Sequence, residues 1–198
     1  MRVLSFDAET NGLYGKAFTL AAVVTDDPPR FILPDSLSRS SNVAQWAQET
    51  MTPPTLLASF VARCPIEGPV NQWVADNVLP QIEDIAITHG SYAEMVEAFY
   101  RFYMGHRDEA RTIVHVPYPV ETTILRDMII ADIDARIWHG PFPLVDVASV
   151  LLASGYAEAS VDAYNASHRI TIPCAAGNHH PLYDSWAAER CFRHLMTS

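Results

Sequence analysis

The first twenty-five residues constrain the fold more than any other part of the chain. Residues 2–7 contain an apolar run from Val3 to Phe6, and Ala17 to Thr25 form a second one that includes several β-branched side chains. Gly12 and Gly15 lie between the two runs and predict a turn. The two runs are therefore expected to be strands that pair with each other at the start of a β-sheet.

Beyond these two runs, predicted strands alternate with predicted helices. Three further strands are predicted at Ser59–Cys64, Thr112–Val116 and Pro143–Val147. Helices are predicted after the caps Asn71 and Ser91, at Val120–Ile130, up to Leu152, and at Pro181–Leu195. This order favours a single α/β domain, from 1 to 198, whose mixed sheet has an antiparallel edge.

The segment from about 27 to 57 interrupts this alternation. It is punctuated by prolines at 28, 29, 34, 53 and 54, and it contains a serine-rich stretch at 36–41. We interpret it as an insertion or a long loop between the second and third strands, with room for a short helix at 43–50.

Composition limits the range of functions. With 198 residues and 49% hydrophobic content, the chain can bury one core. Its net charge of −10 argues against an extended contact with the phosphates of a nucleic-acid duplex, which normally requires a stripe of basic residues. An acidic enzyme can still hold a few terminal nucleotides through metal ions.

The cysteines and the apolar segments bear on location. Cys64, Cys174 and Cys191 are widely spaced, as expected of buried thiols in a reducing compartment. We see neither a basic-apolar leader nor an apolar run long enough to span a bilayer. We therefore expect a cytoplasmic protein with no membrane partner.

Acidic residues stand at both ends of the chain in a pattern that suggests metal chemistry. Asp7 and Glu9 are two residues apart on the first strand, so both side chains point to the same face. His179 and Asp184 stand at the start of the final helix. Either pair alone usually reflects surface polarity or chance, but together they resemble a two-metal hydrolytic centre.

The two segments resemble the first and last motifs of the DEDD superfamily of 3′–5′ exonucleases, in its histidine-containing DEDDh branch, the RNase T-like group. That family begins with Asp-x-Glu, usually followed by Thr and Gly, as residues 7–12 do here. It ends with His-x4-Asp, matched by His179 and Asp184. The sister branch has Tyr-x3-Asp, but residue 180 is histidine. The resemblance implies a ribonuclease H-like fold, with about five strands in a mixed sheet flanked by helices.

The middle motif departs from the family pattern. Family members place an aspartate at the opening of a helix after a strand, whereas this chain has Glu121 and one extra residue. Glu121 is our prediction for the third carboxylate. Asp127 is the competitor, but it lies six residues on, about 9 Å along a helix at roughly 1.5 Å per residue.

The resemblance also implies the chemistry. Asp7, Glu9, Glu121 and Asp184 would hold two Mg²⁺ or Mn²⁺ ions, and His179 would accept a proton from the attacking water. In the family, the backbone that follows the first motif contacts the terminal nucleotide, here at Thr10, Asn11 and Gly12. Several relatives of the RNase T kind are homodimers, and we expect the same here.

Three nearby residues are alternatives or neighbours of the predicted site. His180 is the expected N-cap of the last helix and should point away, so we prefer His179 as the base. His115 precedes the middle motif and is a candidate for lining the site. Asp146, at the end of the fifth strand, is expected to be structural.

The predicted function is a metal-dependent 3′–5′ exonuclease that acts on single-stranded DNA or RNA ends or short oligonucleotides. The alternative is a catalytically weak or silent module that keeps the fold and binds nucleic acid or a partner, and the departure at Glu121 is its main support. A third hypothesis, a ribonuclease H-like endonuclease or other phosphoryl-transfer enzyme, is disfavoured by His-x4-Asp.

Overall fold

A mixed sheet of five strands forms the centre of the computed structural model, which describes residues 1–27 and 54–197. The strands are β1 (Arg2–Thr10), β2 (Ala17–Asp26), β3 (Thr55–Arg63), β4 (Ala110–Val114) and β5 (Val145–Asp146). Their spatial order is β3-β2-β1-β4-β5. β1, β2 and β3 pair antiparallel, whereas β4 runs parallel to both β1 and β5. The predicted fold class, an α/β sheet with an antiparallel edge in a ribonuclease H-like layout, is confirmed.

Helices cover both faces of this sheet. They are α1 (Gln72–Asn77), α2 (Tyr92–Met104), α3 (Val120–Ile130), α4 (Ile133–Arg136), α5 (Val147–Ala153), α6 (Val161–Ser167) and α7 (Pro181–Leu195), with a 3₁₀ turn at Leu79–Ile82. One apolar core lies between the sheet and α1, α2 and α3. A second core lies on the opposite face, where α5, α6 and α7 pack. None of the helices in the described ranges combines the length and the apolar character needed to cross a bilayer.

The alternation of side chains along β1 decides which residues reach which core. Leu4, Phe6 and Ala8 belong to the core under α2 and α3. Val3 belongs to the other core, under α7. Since the strand period is two, the odd-numbered positions of β1 face α7, and Asp7 and Glu9 are among them.

The helix predicted after Ser91 is observed as α2, and it packs an apolar face against the sheet. Met95, Val96, Phe99 and Tyr103 are all buried in the first core. Ser91 caps this helix, since its hydroxyl accepts a hydrogen bond from the N–H of Glu94 at 3.3 Å. The Glu94 carboxylate in turn accepts a hydrogen bond from the N–H of Gly90, one residue before the cap.

Several predicted boundaries were wrong by a few residues. β3 begins at Thr55 rather than Ser59, because backbone pairing with β2 extends this edge strand back to the last proline before it. β4 occupies 110–114 rather than 112–116, and β5 consists of only two residues. Residues 55–57 therefore belong to β3, not to the predicted insertion. Residues 28–53, with the helix considered at 43–50, lie outside the described residues.

Candidate active site

Three of the four predicted acids meet at one point in the structure. One carboxylate oxygen from each of Asp7, Glu9 and Asp184 lies within 4.8 Å of the others. Among the described residues, this is the one group of three acid, histidine or cysteine side chains close enough to hold a metal ion. The trio lies in a cavity of about 630 Å³ that Glu121 and His179 also line.

The fold brings these acids together through elements from both ends of the chain. Asp7 and Glu9 lie near the carboxyl end of β1 and face α7, as described above. Asp184 stands in the first turn of α7, which packs across β1 and β2 on this face. α7 is held there by the buried Ser185, whose hydroxyl donates to the carbonyl oxygen of Ala21 at 3.1 Å. The position of Asp184 is therefore a consequence of helix docking.

Glu121 enters the cavity from α3. It stands in the first turn of that helix and only 6% of its surface is exposed. Its carboxylate accepts hydrogen bonds from its own N–H and from the N–H of Ala8, on the strand that carries Asp7 and Glu9. Glu121 thus lines the cavity but lies outside the trio of closest oxygens.

Asp127, the competitor for the third acid, has other partners. It accepts a hydrogen bond from the hydroxyl of Tyr92 at 2.9 Å and pairs with Arg126 at 2.8 Å. It does not line the cavity. Asp146 also lies outside the cavity and caps α5 by accepting from the N–H of Ser149 at 3.1 Å, as expected of a structural residue.

The electrostatics of the cavity are those of crowded acids without a counter-charge. Burial, followed by the charges of Asp184, Glu121 and Glu9, raises the pKa of Asp7 well above its usual value. Burial and the charges of Asp184 and Glu121 raise the pKa of Glu9 to about 8. Burial also raises the pKa of Glu121 to about 8. Within the described part of the chain, no lysine or arginine lines this cavity. Hard oxygen ligands with unbalanced negative charge fit a divalent cation such as Mg²⁺ or Mn²⁺.

Asp184 links the acids to the segment before α7. Burial and the charge of Asp162 raise the pKa of Asp184 to about 7. Its Oδ2 accepts a hydrogen bond from the N–H of His179 at 3.0 Å. His179 has a left-handed backbone with φ of 67°, which is uncommon for a residue other than glycine. This hydrogen bond helps to hold the unusual conformation.

The two adjacent histidines differ in their surroundings. The side chain of His179 is 45% exposed, lines the cavity and places Nδ1 3.9 Å from Oε1 of Glu9. Its ring meets that of Trp73 edge to face, with centroids 5.2 Å apart. His180 is 3% exposed and caps α7, with its Nδ1 accepting from the N–H of Leu182 at 3.2 Å. The expected N-cap role of His180 is confirmed.

The predicted substrate-binding segment divides between the cavity and the scaffold. Thr10 and Gly12 line the cavity, and Asn11 does not. The side chain of Asn11 donates to the carbonyl oxygen of Pro69 at 2.9 Å and accepts from the N–H of Asn71 at 2.8 Å. Because Asn71 caps α1, Asn11 ties the end of β1 to the helix that carries Trp73.

Gly12 has a conformational reason to be glycine. Its φ is 82°, in the left-handed region that side chains disfavour. A Cβ at this position would lie 3.5 Å from Nδ2 of Asn71. The turn after β1 therefore brings its backbone close to the cap of α1.

The sequence did not identify several residues around the cavity. Leu13, Trp73 and Tyr118 form an apolar rim and are 60%, 54% and 69% exposed. Trp73 lies on the helix predicted after Asn71, and only the structure separates its exposed ring from the buried Val74 and Val78. His115 does line the cavity, as considered above.

Asp162 and Asn178 also line the cavity, and no motif points to them. The side-chain amide of Asn178 donates to Oδ2 of Asp162 at 3.1 Å. Oδ1 of Asp162 is buried and has no hydrogen-bond partner among the described residues. Asp162 reaches the site only because α6 packs beside α7.

Neither the models of known protein families nor the curated proteins give a match for this chain.

Proposed function

We propose that this protein is a metal-dependent 3′–5′ exonuclease that hydrolyses phosphodiester bonds at the 3′ ends of single-stranded or short nucleic acid. The observation that carries the proposal is the trio Asp7, Glu9 and Asp184, whose oxygens approach within 4.8 Å in an open cavity beside His179. The 3′–5′ polarity comes from the DEDDh resemblance alone.

Asp7, Glu9 and Asp184, with Glu121 behind them, would hold the divalent cations. Bound Mg²⁺ or Mn²⁺ would supply stabilisation of the negative charge that develops on the phosphate and on the leaving oxygen. The raised pKa values of Asp7 and Glu9 mean that these carboxyl groups do not readily ionise together unless a cation neutralises them. A phosphodiester should therefore bind productively only when the cations are present.

His179 is placed to move a proton. In the proposed reaction a water oxygen attacks phosphorus, the bond from phosphorus to the 3′ oxygen breaks, and His179 accepts the proton that the water loses. The leaving 3′ oxygen takes up a proton, and a nucleoside 5′-monophosphate departs. Imidazole side chains are suited to proton transfer of this kind.

The rim of the cavity suits unpaired bases. Leu13, Trp73 and Tyr118 expose apolar surface next to the acids. Aromatic rings such as those of Trp73 and Tyr118 bind single-stranded bases by stacking without sequence preference. The net charge of −10 disfavours a long electrostatic contact with duplex phosphates. Both features support a short single-stranded substrate.

The alternative, a weak or silent binding module, retains one supporting observation. Glu121 is recessed and hydrogen-bonded to β1, outside the trio of closest oxygens. A second cation would then be held weakly and turnover would be slow. A sensitive activity measurement separates the two functions.

The test is the degradation of 5′-labelled single-stranded DNA and RNA oligonucleotides in Mg²⁺ or Mn²⁺. We expect a ladder that shortens one nucleotide at a time, that requires a free 3′ hydroxyl and that disappears with EDTA. Asp7→Asn should abolish the activity, and the matched variant Asp127→Asn, outside the cavity, should keep it. Undegraded oligonucleotides that still bind the protein would favour the silent module, and internal cleavage would favour an endonuclease.

A further inference from the structure

A second polar cavity lies at the opposite end of the sheet from the acids. It has a volume of about 350 Å³ and is lined by the end of α2, the start of β4 and the segment before β5. The acidic cavity is instead lined by His115 and Val116, just after the carboxyl end of β4. The two cavities are therefore separated by the length of β4, and they share no residue.

The second cavity exists because β5 is short. β5 pairs only with Ile113 and Val114, so no strand of the described residues flanks 110–112 on that side. Pro141 and Pro143 occupy the segment before β5 and have no N–H with which to continue the ladder. The gap beside the start of β4 is the result.

The chemistry of this cavity is cationic in a chain whose net charge is −10. Arg107 and Arg111 both line it, and Asp108 is the one acid among its lining residues. Arg111 is exposed and has no ion pair with any carboxylate in the described ranges. Arg107 pairs with Asp108 at 3.1 Å, but the Asp108 side chain is 83% exposed, and such surface pairs are weak. Both guanidinium groups can therefore turn to an anionic ligand.

Two hydroxyl groups add neutral donors. Tyr103 and Thr112 line the cavity, and both residues are almost completely buried. Burial raises the pKa of Tyr103 to about 12, so its hydroxyl keeps its proton and can donate. Guanidinium and hydroxyl donors around one small cavity suit a phosphate group.

An exposed aromatic ring borders the same cavity. Phe142 is 78% exposed, and its ring lies against Gly140. A Cβ on Gly140 would lie 3.2 Å from two carbons of that ring, so the glycine makes room for it. An exposed ring beside a cationic cavity favours a ligand that joins an aromatic group to a phosphate.

We propose that this cavity binds a nucleoside monophosphate, with its phosphate at Arg107 and Arg111 and its base against Phe142. A volume of about 350 Å³ lies within the range of roughly 300–1,000 Å³ that is typical of small-molecule sites. The proposal does not depend on the exonuclease function, since it involves none of the acids.

The test is calorimetric titration of the 198-residue chain with AMP in EDTA, which removes the cations through which the acidic cavity would bind phosphate. We expect AMP to bind more tightly than inorganic phosphate or ribose 5-phosphate, and adenosine not to bind measurably. Arg111→Ala should weaken AMP binding by about 10-fold or more, as expected for the loss of a charged hydrogen bond. The matched variant Arg169→Ala removes an exposed arginine that lines neither cavity and should have no effect.

Amide chemical shifts locate the site independently of affinity. AMP should perturb residues 103–112 and 140–143 and leave residues 7–12 unchanged. Phe142→Ala should reduce the preference for AMP over ribose 5-phosphate, and Phe142→Tyr should retain it. Equal affinity for AMP and inorganic phosphate, equal losses in Arg111→Ala and Arg169→Ala, or shifts confined to residues 7–12 would each overturn the proposal.

Discussion

At the scale of single residues, Glu9 shows how the cavity opposes the folded state when no cation is bound. Its side chain is only 13% exposed and lies among other acids. Burial and the charges of Asp184 and Glu121 raise its pKa to about 8. Ionising this carboxyl costs more free energy in the folded protein than in the unfolded chain. The free energy of unfolding is therefore lowered near neutral pH and above it.

The sign of this effect gives a prediction for Glu9→Gln. An acid whose pKa is higher in the folded protein stabilises the fold fully below its unfolded pKa, near about 4.3. That contribution is lost as the pH rises through about 8. In EDTA, Glu9→Gln should therefore raise the unfolding temperature at pH 8 by at least about 2–4 °C, the equivalent of about 1 kcal/mol. At pH 5 the gain should be much smaller.

Thermal unfolding followed by circular dichroism at both pH values measures this difference. Glu83→Gln, at an exposed position outside the cavity, is the control and should behave alike at pH 5 and pH 8. A Glu9→Gln variant whose advantage over the wild type does not grow with pH would contradict the assigned electrostatics.

The two histidines give a second residue-scale prediction. His179→Ala should lower kcat by about 10²–10⁴-fold, the usual contribution of a positioned base. His180→Ala should instead lower the free energy of unfolding by about 1 kcal/mol, because it removes the cap of α7. Steady-state kinetics and urea unfolding of both variants separate the roles, and the reverse pattern would identify His180 as the base.

At the scale of secondary-structure elements, docking of α7 is what completes the trio. Arg193 in the last turn of α7 donates to the hydroxyl of Thr25 on β2 at 2.6 Å. Ser185, near the start of the helix, bonds to the same strand. α7 is thus attached to β2 at both ends, and this attachment holds Asp184 opposite Asp7 and Glu9.

Substitutions of Glu121 on α3 test the unusual middle motif. Glu121→Gln should raise the Mg²⁺ concentration needed for half-maximal activity by several-fold, because it removes a charge from the cavity. Glu121→Asp should also lose activity, since the shorter side chain would leave the hydrogen bond from Ala8 unmade. Asp127→Asn, on the same helix, should be nearly silent. Wild-type Mg²⁺ dependence of Glu121→Gln would remove this residue from the site.

At the scale of the whole molecule, the two cavities lie at opposite ends of the parallel pair β1 and β4. The cavity at the carboxyl end is lined by acids, and the cavity at the amino end is lined by two arginines. The separation lets a chain of net charge −10 present one cationic cavity. We therefore expect anionic small molecules to bind at the amino end without cations.

Assembly is the remaining whole-molecule prediction, and it rests on the DEDDh resemblance. We expect a homodimer, so multi-angle light scattering at micromolar concentration should give a mass near twice the 22.0 kDa of the chain. A dilution series is the control for weak association. One species near 22.0 kDa at every concentration would contradict the prediction.

Much of the architecture followed from local pattern. The bounds of α3 and α7 were predicted as observed, because proline, capping residues and apolar spacing mark them in the sequence. The starts of β3 and β4 were misplaced, because a strand begins where its backbone starts to pair with a neighbouring strand, and that neighbour is distant in the chain.

The sequence by itself determined the alternation that puts Asp7 and Glu9 on one face, and the spacing that puts Asp184 one turn into a helix. Those are local consequences of backbone geometry. Only the tertiary structure decided that Asp162 and Trp73 line the same cavity. It also decided that the side chain of Asn11 links the end of β1 to the cap of α1. Such neighbours are set by how α1, α6 and α7 pack on the sheet, and packing depends on contacts between residues far apart in the chain.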